Sequence, residues 1–271
     1  MNLLNTWFGN WRSSVVGWLP AIATTIALVV LWEVLVEVLD VQRWLLPAPS
    51  VILTELSDSF GLLTRHAGIT LIEIVIGFAV SVSLGVTIAS GIVWSRTVER
   101  SIYPIIIASQ TIPVITLAPL LIIWVGTDIM SKVIVIVLFT FFPITISLVS
   151  GLRYVDHEMV DMLRTLGASS WQTFIKLMIP SALPSFFAGL KVAAVVSVIG
   201  AVIGEWFGAS SGLGFLMKIA GPQFQTARVF AAIVVLSILA IGLFAAVVAI
   251  EKWVLRKYPP TANQVVRLGE S

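Results

Sequence analysis

The side chains able to do chemistry in this 271-residue chain are few and widely separated. Its two histidines, His66 and His157, have no cysteine or second histidine near them, so neither belongs to a cluster with metal-site spacing; both read as ordinary loop residues. Cysteine is absent, which removes disulfide and thiol chemistry. The acids are more informative. Glu33 and Glu37, four residues apart, share one helical face inside an apolar stretch. Carboxylates in that setting can couple ion movement, and near the end of a stretch they can equally reach out to the interface. Glu205, in Ile203-Gly204-Glu205-Trp206-Phe207-Gly208, stands near the end of another apolar stretch, and two readings are open for it: a gate or pathway acid, or an interfacial acid. No nucleophile stands beside a base, so no catalytic residue is assigned and no enzyme is expected. No Gly-x-x-x-x-Gly-Lys-Ser/Thr phosphate loop occurs either. A process driven by ATP would need a separate ATPase subunit.

The elements that carry these residues are membrane spans. The chain is 58% hydrophobic and 11% charged, with a mean hydropathy of +1.04, whereas soluble domains carry about 25% charged residues. A hydrocarbon core of about 30 Å takes roughly 20 apolar residues as helix. Stretches near 19–39, 69–93, 102–125, 129–148, 186–207 and 229–250 satisfy that. The first follows Arg12 and the interfacial aromatic group Trp7, Phe8, Trp11 and Trp18. With the amino terminus inside, the inner side holds Arg12, Arg96, Arg100, Arg153, Arg164, Lys176, Lys191, Lys252, Arg256, Lys257 and Arg267. The outer side holds only Arg43, Arg65, Lys132, Lys218 and Arg228. The positive-inside rule therefore predicts cytoplasmic termini and a multi-pass protein of the bacterial plasma (inner) membrane.

Polar and small residues differentiate the spans. Pro104, Pro113 and Pro119 punctuate the third, with Ser109, Gln110, Thr111 and Thr116 beside them. The carbonyls that proline frees need partners in protein or water, so this span faces inward. Gln110, Pro113 and Thr116, with Thr140 of the fourth span and Glu205 and Trp206 of the fifth, are the candidate lining of a translocation pathway. Gly77, Ser81, Gly85 and Ala89 form a small-residue stripe, as do Gly200, Gly204 and Gly208; these pack within one subunit or between two. Between the first two spans, Pro47 to Leu56 reads as a turn and a Ser-capped short amphipathic helix on the outer surface.

One stretch between apolar blocks cannot span. His157 to Pro184 carries Glu158, Asp161, Arg164 and Lys176, with Gly167 in the middle and Pro180 and Pro184 at the end. Met159, Met162, Leu163 and Leu166 recur at helical spacing before Gly167. Ser169 and Ser170 can cap a second helix through Trp171, Phe174 and Ile175. The reading is helix, sharp turn, helix. Asp161, then Gly167, then Leu177-Met178-Ile179-Pro180 resembles the EAA loop of permease subunits of binding-protein-dependent ABC importers: Glu-Ala-Ala, three residues, Gly, nine residues, Ile-x-Leu-Pro. Asp161 replaces the Glu, and Met162 and Leu163 replace the alanines. Ile112 to Gly126 and the Gly212-Leu213-Gly214 turn are similar to the nitrate, sulfonate and taurine permease group, although Asp128 stands where a second glycine is common there. The resemblance covers residues 47–257.

The resemblance implies an all-α membrane protein with the type I ABC importer permease fold: six transmembrane helices and a cytoplasmic helix-turn-helix coupling loop at 153–184. These form a single transmembrane permease domain over 1–271 with its core at 66–252. It implies a second permease copy as homodimer, two cytoplasmic ABC ATPase subunits that use ATP and Mg, and an extracytoplasmic solute-binding protein. No cofactor or metal is expected in this chain, and no nucleic-acid partner. Asp161, Arg164, Thr165, Gly167, Ala168 and Ser169 become the ATPase-docking residues, and ATPase closure would drive the pathway from inward-open to outward-open. The implied solutes are sulfonate, taurine, nitrate or bicarbonate-like anions, or a thiamine-precursor pyrimidine. Two other classes are weighed against it. A secondary transporter driven by an ion gradient predicts inverted repeats and midplane charges, and an intramembrane enzyme predicts a catalytic cluster; neither is found.

Overall fold

A computed structural model describes residues 3–257, with residues 3–18 and 157 as backbone only. The aromatic group at 7–18, Arg12 and Arg267 therefore lie outside the residues whose side chains are described. The helices are α1 (Leu3–Val38), α2 (Pro49–Asp58), α3 (Phe60–Trp94), α4 (Arg96–Ser109), α5 (Val114–Val125) and α6 (Ile129–Arg153). After these come α7 (His157–Thr165), α8 (Ser170–Thr173), a π-helical turn (Phe174–Met178), α9 (Ile179–Gly208), α10 (Leu213–Ala220) and α11 (Thr226–Lys257). Five helical stretches are long and apolar enough to cross a membrane, 19–38, 60–94, 129–153, 170–208 and 226–257.

Glycines fix how these helices run against one another. A Cβ on Gly77 would stand 2.6 Å from Ile136 and one on Gly85 2.8 Å from Ile144, so α3 and α6 run parallel. Gly204 meets Lys132, Gly200 meets Ile136 and Gly189 meets Pro143, so α9 runs antiparallel to α6. Both small-residue stripes therefore pack within the subunit, where contact at backbone distance replaces the hydrophobic drive that lipid does not supply. One buried cluster, including Leu63, Ile74, Ile136, Leu213 and Leu236, joins α3, α6, α10 and α11 at one end. A second, including Ile92, Ile106, Leu152 and Phe174, closes the other end.

This arrangement decides the third span. It is not one helix: α4 and α5 meet at 101°. Pro113 has no N–H to continue α4, and it serves instead as the N-cap of α5. Because α3 finishes at the end where α6 also finishes, and α6 starts at the opposite end, the α4–α5 pair must still pass from one end to the other. That makes six crossings, and it places the Leu19 end of α1 and the Lys257 end of α11 on the α7–α8 side.

Three local expectations change. His66 lies within α3 rather than in a loop. The N-cap of α2 is Ala48, followed by Pro49 at the first helical position, and not a serine. Its open amide is met from outside: Glu33 of α1 accepts from Ser50 N at 3.0 Å and from Ser50 Oγ at 2.6 Å. Glu33 thus anchors α2, a use that neither ion coupling nor an interfacial acid described. Finally, the second helix after Gly167 does not end at the prolines. Ser170 to Gly208 is one 39-residue helical rod. Pro180 cannot donate to the carbonyl of Lys176 and crowds it, and the turn before Pro180 widens into π geometry.

Candidate functional site

The turn at Gly167 is built from local hydrogen bonds. Asp156 caps α7 by accepting from Glu158 N at 3.0 Å. At the other end Gly167 takes φ +84°, its N–H donates to Arg164 O at 2.9 Å, and Ala168 N–H donates to Leu163 O at 3.0 Å. This pair of bonds is a Schellman motif, whose left-handed position glycine occupies without a Cβ penalty. Ser169 then starts α8 with a capping box: its hydroxyl accepts from Gln172 N, and its own N–H donates to Gln172 Oε1 at 2.9 Å.

Asp161, Arg164, Thr165, Gly167 and Ser169 are exposed along this turn and Ala168 is half-buried. Asp161 and Arg164 face each other at 4.0 Å in solvent, a contact worth little to stability. Met162, Leu166 and Trp171 are exposed too, Leu166 at 74%. The turn thus shows apolar side chains among its charged ones on its exposed face. Its base is rigid. Trp171 stacks on Phe174 and meets Trp94 edge-on, so the turn is seated on the end of α3. Beside it Arg153 donates to Glu99 at 2.6 Å and covers the Tyr103 ring at 4.8 Å.

At the far end of the same rod lies a buried polar clasp. α10 has no side-chain cap of its own, and Gly212 precedes it at φ +109°. Three consecutive amides at its start are met by other helices. Gly212 N–H donates to His66 Nδ1 at 2.9 Å, Leu213 N–H to Thr70 Oγ1 at 2.9 Å, and Gly214 N–H to Glu205 Oε2. Glu205 Oε1 accepts from the Thr70 hydroxyl at 2.6 Å. The carboxylate at a helix start also faces the positive end of the helix dipole. Glu73, one turn beyond Thr70, stands 3.5 Å from Lys132 Nζ. Lys132 thereby offsets charge that burial would otherwise make costly. The His66 ring stacks on Phe215 at 6.4 Å.

Sequence reasoning found Glu205 but not His66, Thr70, Glu73 or Lys132. A signal existed, because positions 66, 70, 73 and 77 fall on one face of an otherwise apolar helix.

The expected pathway residues are divided by the structure. Gln110, Pro113 and Thr116 cluster exposed at the α4–α5 bend, and Trp206 is exposed on α9. Thr140 and Glu205 are 0% exposed. Thr140 bonds to Ser81 and to Ile136 O, so both its hydroxyl functions are spent on helix packing. Each of these two side chains is paired within the subunit.

Outside the spans, Glu55 of α2 meets Arg228 at 2.8 Å. Burial works against its ionisation, but hydrogen bonds from Ser59 and Arg228 outweigh it and hold the carboxyl below its ordinary range. Lys191 of α9 bonds both oxygens of Glu251 of α11 at 3.0 Å. Among the described residues no group of three or more His, Cys, Asp or Glu side chains could hold a metal.

Comparison with known proteins agrees with this geometry. Residues 81–256 match the family described as binding-protein-dependent transport system inner membrane component. The chain is 42% identical over 229 residues to the formylaminopyrimidine transport permease protein ThiX of Halalkalibacterium halodurans, covering 84% of this chain and 91% of that one. It is 32% identical to the riboflavin transport system permease protein RibX of Chloroflexus aurantiacus, over 86% and 88% of the two chains. It is 29% identical to the taurine transport system permease protein TauC of Escherichia coli, over 81% and 82%.

Proposed function

The chain belongs to the binding-protein-dependent transport system inner membrane component family and is the permease subunit of an ABC importer, and from that premise we propose that its solute is a small heterocycle of the formylaminopyrimidine kind. The observation that carries this choice is the grading of the likenesses, 42% to the formylaminopyrimidine permease against 29% to the taurine permease. In this reading the solute is delivered by an extracytoplasmic binding protein and passes between two copies of this subunit. Gln110, Pro113 and Thr116 at the α4–α5 bend, with Trp206 of α9, line its route; the support is their exposure at the break in the third span.

The α7–α8 turn is the docking surface for an ATPase that uses ATP and Mg, one on each of the two permease copies. Met162, Leu166 and Trp171 give it apolar grip, and Asp161, Arg164, Thr165, Gly167, Ala168 and Ser169 give it shape and polarity. This end of the bundle is the cytoplasmic one, as the excess of basic residues there favours, so both chain ends face the ATPase side. ATPase closure pushes the two turns together, and the rod from Ser170 to Gly208 carries the displacement across the bilayer.

The test is import into vesicles holding the permease, its ATPase and its binding protein. Labelled formylaminopyrimidine should accumulate with ATP and taurine should not. Accumulation of taurine alone would transfer the protein to the sulfonate-type solutes and overturn the proposal.

A further inference from the structure

The helix that starts at the docking turn ends at the clasp. Ser170 to Gly208 is a single rod of 39 residues, roughly 58 Å at about 1.5 Å per residue. Its first turn carries the capping box beside Gly167, and its last two turns carry Glu205. At that far end Glu205 holds two other elements at once, α3 through the Thr70 hydroxyl and α10 through Gly214 N–H. Thr70 closes the triangle by accepting from Leu213 N–H. The sequence is shaped to allow it, since a Cβ on Gly214 would stand 2.8 Å from Glu205 Oε2 and 2.9 Å from Val202 O.

We propose that Glu205, Thr70 and His66 are positioning residues that lock α10 and the start of α3 to the tip of the α9 rod, so that displacement at the docking turn moves the outer end of the bundle as one body. The inference rests on the reading of this chain as an importer permease. Glu205 then acts through the elements it ties together and does not touch solute. A rod whose tip slides freely past its neighbours would let ATP be spent at one face without opening the other. Two buried hydrogen bonds and one part-buried bond to consecutive amides, together with the Glu205–Thr70 bond, remove that freedom, because a buried amide pulled from its acceptor is left unmet. Lys132 holds the clasp in place along its length: its charge meets Glu73 at 3.5 Å while its backbone packs on Gly204, one residue from Glu205.

The experiment measures solute imported per ATP hydrolysed, in vesicles with the complete transporter at matched amounts of assembled complex. Thr70→Val keeps the shape of the side chain but removes the acceptor for Leu213 N–H and the donor to Glu205. It should lower the ratio about tenfold or more, since one unmet buried hydrogen bond carries a factor of about ten and two are lost, with ATP hydrolysis retained. Thr70→Ser keeps the hydroxyl and should keep the parent ratio. Should Thr70→Val fail to assemble, His66→Phe carries the test, since it removes the acceptor for Gly212 N–H yet keeps a ring against Phe215. Equal ratios in Thr70→Val and Thr70→Ser, or import and hydrolysis falling in proportion, would reduce the clasp to ordinary packing and overturn the proposal. A parent complex that hydrolyses ATP without importing any offered solute would overturn the solute assignment and not the clasp.

Discussion

Gly212 and Glu205 exclude a side chain between them: any Cβ at position 212 would fall on the Glu205 carboxylate. The backbone there has φ +109° and ψ 165°, a region that is almost entirely glycine's. Gly212→Ala therefore meets both backbone strain and a clash, and should destabilise the purified subunit by about 2 kcal/mol or more. Gly68→Ala, where nothing lies within 4 Å of the added methyl, should leave thermal stability unchanged or slightly raised. Matching losses in the two variants would contradict the geometry at the clasp.

Gly167→Val should insert normally and abolish the stimulation of ATP hydrolysis by solute-loaded binding protein. Valine resists φ +84°, so the Schellman turn opens and Arg164, Ala168 and Ser169 lose their relative placement. Normal stimulation in this variant would sink the docking assignment.

The native chain has no cysteine, so single cysteines report sidedness cleanly. Ser170 and Ser210 are both exposed and lie at opposite ends of the long rod. An impermeant thiol reagent added outside cells should label Ser210→Cys and spare Ser170→Cys. The reverse pattern would invert the topology and remove the turn from the ATPase.

Trp94→Leu should weaken coupling without touching the exposed docking face. It deletes the edge-on contacts to Trp171 and Phe174 that seat the turn on α3, each worth about 0.5–1.5 kcal/mol. The expected signature is a lowered maximal stimulation of ATP hydrolysis with the ATPase still bound. Unaltered stimulation would show that the turn is held by other contacts.

Lys191 and Glu251 tie α9 to α11 with most of both side chains covered. Lys191→Met leaves a carboxylate unpaired and should cost about 1–3 kcal/mol. The double change Lys191→Met with Glu251→Gln should recover much of that loss. A thermal-unfolding double-mutant cycle that shows additive effects would mean the pair contributes nothing.

The sequence by itself determined the class of this protein. Hydropathy was enough for a multi-span membrane protein and the Asp161–Gly167–Pro180 spacing carried the resemblance to importer permeases, because each is a property of types and spacing along one stretch of chain. The Gly167 turn was legible for the same reason: its caps and its Schellman bonds all lie within a few residues of one another. Small-residue stripes announced close packing, although only the placement of Gly77 on Ile136 and Gly204 on Lys132 put that packing inside the subunit. What tertiary structure decided is where long-range partners fell. Glu205 looked the same in sequence whether it lined a pore, reached the interface or held a helix; its partner Thr70 is 135 residues away, and Gly214 acquires meaning only once α10 folds back. Glu33 likewise found its partner in Ser50, and Thr140 in Ser81. A buried polar group is defined by the neighbour that satisfies it, and that neighbour is supplied by the fold, not by the spacing.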